Sequence, residues 1–149
     1  MKRLAISVSA LLFTMVGVAA ADDPIVVRQS LMQAAAASAA TSAGMMKGEI
    51  EYNPTVAKAA IATLYGVSQA YGDYFPEGTQ EGDSDASPRI WEDMEGFQQA
   101  IADFQTDTAA AVQAAGEDGP ADLAAFQQAI QPVLSNCKDC HEDFRIQDN

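Results

Sequence analysis

The chain has 149 residues, with 21 Asp and Glu against 8 Lys and Arg, for a formal net charge of −13. Such acidity argues against nucleic acid or an anionic membrane surface as partner, since phosphate binding relies on basic patches. The length fits one domain around a single core.

Met1, Lys2 and Arg3 give a positively charged start, and "LAISVSALLFTMVGVAA" follows as an apolar run closing on small residues. "VAAADD" offers cleavage after Ala20 or Ala21, so residues 1–21 read as a secretory signal peptide and 22–149 as the exported domain. An uncleaved anchor is the competing reading of the same run; the small-residue end and acidic flank favour processing. Removing the segment leaves about 128 residues and takes the charge to about −15. The expected location is the periplasm.

Four X-Pro pairs punctuate the rest: Asp23-Pro24, Asn53-Pro54, Ser87-Pro88 and Gly119-Pro120. In each, a favoured N-cap residue precedes a proline suited to the first helical position, where its missing N–H costs nothing. The runs that follow predict helices near 24–46, 54–71, 88–115 and 120–144. In the first, Met32, Ala36, Ala39, Ala43 and Met46 form a stripe that is mostly alanine, open to close approach by a helix or a flat ligand. The second carries Val56, Ala60, Leu64, Val67 and Tyr71. "FPEGTQEGDSDASP" then reads as a long surface crossing. The third helix carries Ile90, Met94, Phe97, Ile101, Phe104, Thr108 and Ala111 at alternating steps of four and three, a bundle seam. The other links are short, which favours antiparallel neighbours and predicts an all-α, up-and-down four-helix bundle.

In the fourth helix Leu123, Phe126, Ile130, Val133, Cys137, His141 and Phe144 keep the same rhythm. Pro132 lies inside it and should bend the helix before Cys137; the alternative is that a new segment starts there. The two cysteines and the one histidine of the chain all fall in "CKDCH". On a helix Cys137, Cys140 and His141 span an arc of ~100°, so all three face the bundle interior. A structural zinc needs about four ligands, and three are present. A thioredoxin-like dithiol belongs to a strand-helix unit that is missing here. A disulfide between positions three apart closes too small a loop to stabilise much. C-x-x-C-H is the signature of covalent c-type haem attachment: Cys137 and Cys140 supply thioethers and His141 is the proximal iron ligand.

With that motif placed near the C-terminus, the sequence resembles the class II c-type cytochromes, the cytochrome c′ family with its low-spin, methionine-ligated members. "VVRQSLMQ", "KGEIEY", "SPRIWEDMEGF" and "CKDCHEDFR" carry the resemblance across the mature chain. It implies one covalently bound haem c per chain, with Arg28 near a haem propionate and Arg145 near the proximal histidine. It also implies that Met32 is either the distal iron ligand or the apolar residue screening an open site. The first alternative suits a periplasmic electron carrier, the second a protein that binds nitric oxide or carbon monoxide. Neither is an enzyme, and no second histidine exists to serve as a distal acid-base group. The expected partners are redox proteins, with basic docking patches to suit this charge. A homodimer through the outer face of the first two helices, around Val56, Leu64 and Tyr65, is common in the family.

Overall fold

A computed structural model describes residues 23–146; the signal-peptide segment 1–21 lies outside the described residues. Helix α1 (Pro24–Lys47) starts where Asp23 Oδ1 accepts from the Ile25 N–H at 2.9 Å, with Pro24 at its first position. It ends at Gly48, whose φ of 75° is left-handed and whose N–H returns to the Gly44 and Met45 carbonyls, the usual role of glycine at this position. Helix α2 (Pro54–Tyr71) starts in the same way, with Asn53 Oδ1 accepting from both Thr55 and Val56 N–H groups.

Ser87-Pro88 starts a helix within one residue of the prediction, with Ser87 Oγ accepting from the Arg89 N–H at 3.3 Å, whereas Gly119-Pro120 does not start one. The third helical run is in two pieces, a single turn α3 (Arg89–Glu92) and the long α4 (Met94–Ala115). Asp93 leaves helical geometry between them (φ −131°, ψ 62°) and caps the second piece by accepting from the Gly96 N–H at 3.0 Å. The fourth helix, α5 (Leu123–Phe144), begins three residues after Pro120, because Asp122 caps it by accepting from the Ala125 N–H at 2.8 Å. Gly119-Pro120 instead forms a tight joint. Gly119 has φ 90°, and a Cβ there would stand 2.4 Å from the Pro54 carbonyl oxygen, while the Tyr52 hydroxyl donates to the Pro120 carbonyl.

The long helices α1, α2, α4 and α5 pack in that order, with α5 returning to α1, and so close a four-helix bundle. Its centre is formed by Ile61, Leu64, Phe126, Ile130 and Val133, each at most 1 % exposed. Burying a side chain of this size stabilises the fold by roughly 1.5–3 kcal/mol. A second apolar group, Phe75, Ile90, Phe97, Ile101 and Phe144, lies towards the end where the α2–α3 loop crosses. Among the described residues no helix is long and apolar enough to cross a membrane.

The α4 seam is as expected: Phe97, Ile101, Thr108 and Ala111 are buried, as is Ile90 in α3. The α1 stripe is out of phase by one residue. Its buried positions are Ala35, Ser38, Ser42 and Met45, with Arg28 at the start, whereas Ala36 is exposed and Met32, Ala39, Ala43 and Met46 are half-buried. Alanine and serine are nearly equal in size, so a stripe so rich in both leaves the phase of the helix weakly marked. Leu64 has no exposed surface, and of the three residues suggested for an outer face only Val56 and Tyr65 are exposed. Helix α5 runs on through Pro132. The proline lacks the N–H that would reach the exposed Gln128, where water can take the carbonyl instead.

Candidate functional site

A cavity of about 580 Å³ opens between α1, α4, α5 and the α2–α3 loop, within the size range of small-molecule and cofactor sites. Helix α5 brings Cys137, Cys140 and His141 to one wall, as the helical spacing requires. From α1 come Arg28, Met32, Ala36 and Ala39. The register shift described above thus has a consequence: Ser38, Ser42 and Met45 pack in the bundle, and Met32, Ala36 and Ala39, together with Ala35, line the cavity. Phe97, Ile101 and Phe104 of α4 supply its apolar side.

Both cysteines are unpaired thiols, half-buried. Burial pushes the Cys137 thiol up. Cys140 is pushed up to about 11 by burial first, then by Cys137 and Asp143. Both are therefore neutral thiols at pH 7. His141 stays exposed on the cavity rim; burial of part of its ring, with Arg145 nearby, lowers its pKa. A neutral imidazole is the form that binds metal.

Arg28 is only 2 % exposed. Its Nη2 donates to the Thr79 carbonyl at 2.9 Å, and its guanidinium stacks over Phe75 at 4.7 Å and Trp91 at 5.7 Å. Nε and Nη1 are buried without a hydrogen-bond partner. Burial lowers its pKa, against the opposing influence of Tyr71 and Asp23. Two orphaned donors on a buried cation are costly, and a carboxylate within the cavity is the group that would satisfy them. Arg145 sits on the rim of the same cavity, exposed, and pairs with Asp85 at 3.1 Å.

The sequence-predicted set of Cys137, Cys140, His141, Met32, Arg28 and Arg145 is thus gathered around one space. Three further contributions were not anticipated. Tyr71, pushed up to about 12 by burial ahead of Cys140's influence, presents a neutral hydroxyl. Asn136 donates to Asp107 Oδ2 at 2.6 Å, tying the turn before Cys137 to α4. Residues Asp83–Ala86 of the loop form a further wall. Tyr71 was visible only as a seam residue of α2, and loop composition carried no sign of the wall.

The donor set fits a porphyrin: two neighbouring thiols for its edge, an imidazole for its metal, apolar sides for its faces, and a buried cation for a carboxylate. Among the described residues no three His, Cys, Asp or Glu side chains converge to hold a bare metal ion.

Fold and site together define a haem-bearing four-helix bundle protein. A model of the family described as Cytochrome C' matches residues 23–145. A cytochrome c-556 from Agrobacterium fabrum is 30% identical over 119 residues, covering 80% of this chain and 78% of its own. A cytochrome c' from Rhodopseudomonas palustris is 32% identical over 124 residues, covering 83% and 82%. Among solved structures, a cytochrome c' from Rhodopseudomonas palustris superposes with a TM-score of 0.77 at 29% identity, covering 87% of this chain and 100% of that one. The chain belongs to the cytochrome c′ family, and its cofactor is covalently attached haem c.

Proposed function

We propose that the protein is a periplasmic electron carrier, not an enzyme, in which Cys137 and Cys140 would hold the haem by thioethers and His141 and Met32 would bind its iron. The observation that carries this reading is that Met32, on α1, lines the same cavity as His141, on α5. The haem supplies one-electron chemistry between ferric and ferrous iron. His141 acts as a neutral ligand, and the uncharged thioether of Met32 favours the reduced state and raises the potential. Arg28 offers its two unpartnered donors to a propionate, and Arg145 holds the rim beside His141 through Asp85. The apolar sides of the cavity exclude water and lower the local dielectric.

The acidic surface favours a redox partner with a basic docking patch, through steering that weakens with salt. The exposed Val56 and Tyr65 on α2 support association of two copies through the outer face of α1 and α2.

The second reading, a five-coordinate protein that binds nitric oxide or carbon monoxide, draws support from Ala36 and Ala39, which leave space on the cavity wall beside Met32. One spectroscopic experiment separates the two. The carrier reading expects a low-spin ferric spectrum whose methionine signature disappears in Met32→Ala. A high-spin ferrous protein that takes up carbon monoxide readily, with Met32 intact, would overturn the carrier reading in favour of gas binding.

A further inference from the structure

The loop between α2 and α3 is tied down at both of its ends. On the α1 side, Arg28 Nη2 donates to the Thr79 carbonyl at 2.9 Å and Gln29 Nε2 to the Asp83 carbonyl at 2.7 Å. On the other side, the loop pairs with the chain as it leaves α5. The Ser87 N–H donates to the Phe144 carbonyl at 3.0 Å and the Ile146 N–H to the Asp85 carbonyl at 2.8 Å, forming an antiparallel bridge of Ala86 with Arg145. Asp85 and Arg145 add an ion pair beside this bridge. Between the two attachments, Asp83, Ser84, Asp85 and Ala86 wall the cavity.

These attachments are few and mostly exposed: Asp83 and Asp85 are exposed, and of the four wall residues only the half-buried Ala86 packs against the second apolar group. A segment held in this way opens at a lower free energy than the packed helices on either side of it. An exposed ion pair contributes little alone, so the backbone bonds and the Gln29 contact do most of the holding. Both attachments must release for the wall to move, so the segment should behave as one unit.

We propose that residues 79–87 form a latched strap, closed across the cavity by Gln29 on α1 and by the Ala86–Arg145 backbone bridge, and that its opening controls the passage of small molecules to the haem. The proposal rests on the cavity being the haem site.

The test uses ferrous holoprotein carrying Met32→Ala, so that uptake of carbon monoxide does not wait for a side chain to leave the iron. It is compared with the same protein carrying Gln29→Ala in addition. Loss of this holding contact should raise the carbon monoxide uptake rate up to roughly tenfold. The Ser87 and Ile146 amides should exchange hydrogen faster by a similar factor, with the absorption spectrum unchanged. Faster amide exchange with unchanged uptake would overturn the proposal, as would faster uptake with unchanged exchange, or no change in either. A wrong reading of the cavity shows itself separately, as protein without haem absorption, and the strap proposal falls with it.

Discussion

Arg28 and Thr79 are joined by a hydrogen bond of 2.9 Å that links the first helix to the loop walling the cavity. The same guanidinium keeps two buried donors without partners on the protein. One side chain thus serves both the loop and whatever carboxylate the cavity holds.

Replacing Arg28 with Met in the holoprotein removes a charge-assisted hydrogen bond and the stacking on Phe75. The expected loss is roughly 1.5–3 kcal/mol of stability, the usual worth of a hydrogen bond to a charged group. Arg28→Lys should restore little of it, because an ammonium does not reproduce the planar fork. Denaturant unfolding of the three holoproteins checks this.

Leu64 lies wholly inside the bundle, one position from the exposed Tyr65. Leu64→Ala should cost about 2–5 kcal/mol through lost burial and the cavity left behind. Tyr65→Ala should leave monomer stability within about 0.5 kcal/mol. Thermal or urea unfolding of both variants at low concentration distinguishes a core position from a surface one.

Gly119 combines a left-handed φ of 90° with close contact to the Pro54 carbonyl. Gly119→Ala should therefore destabilise by about 1–3 kcal/mol, the cost of holding a side chain in that backbone region. Gly116→Ala, at φ 61° and ψ −161° with open space around it, should show the backbone cost alone, without a steric clash, and a pair of unfolding curves gives the comparison.

Tyr71 makes stability depend on alkaline pH. Its folded pKa, raised to about 12 by burial, exceeds the unfolded value near 10. The folded state therefore holds the proton more tightly, and this contribution is complete below about pH 10 and lost as pH rises towards about 12. The loss should approach roughly 2–3 kcal/mol across that window. Tyr71→Phe should unfold with a correspondingly flatter pH dependence, measured as the difference between the two proteins so that other tyrosines and lysines cancel.

The site was more legible in the sequence than the packing around it. Cys137, Cys140 and His141 announce themselves by chemistry and spacing, and helical geometry alone puts them on one wall. Asp23 and Asn53 are clear helix starts because cap and proline coincide. The same signal misled at Gly119-Pro120, where the glycine is used for close contact with Pro54 and the true cap is Asp122. In α1, alanine and serine on neighbouring faces concealed which stripe is buried. Nothing local in "DSDAS" foretold a cavity wall, because that role depends on Gln29 and Phe144, which are distant in the chain.

The central claim is that haem is bonded to α5 through Cys137 and Cys140. Protein produced with an active haem-attachment machinery, denatured in acid and extracted with organic solvent, should be weighed by mass spectrometry. The account predicts a mass equal to the processed polypeptide plus one haem, and a colourless product from the Cys137→Ser/Cys140→Ser variant. A wild-type protein that gives up its haem to the solvent, or weighs no more than its polypeptide, would contradict it.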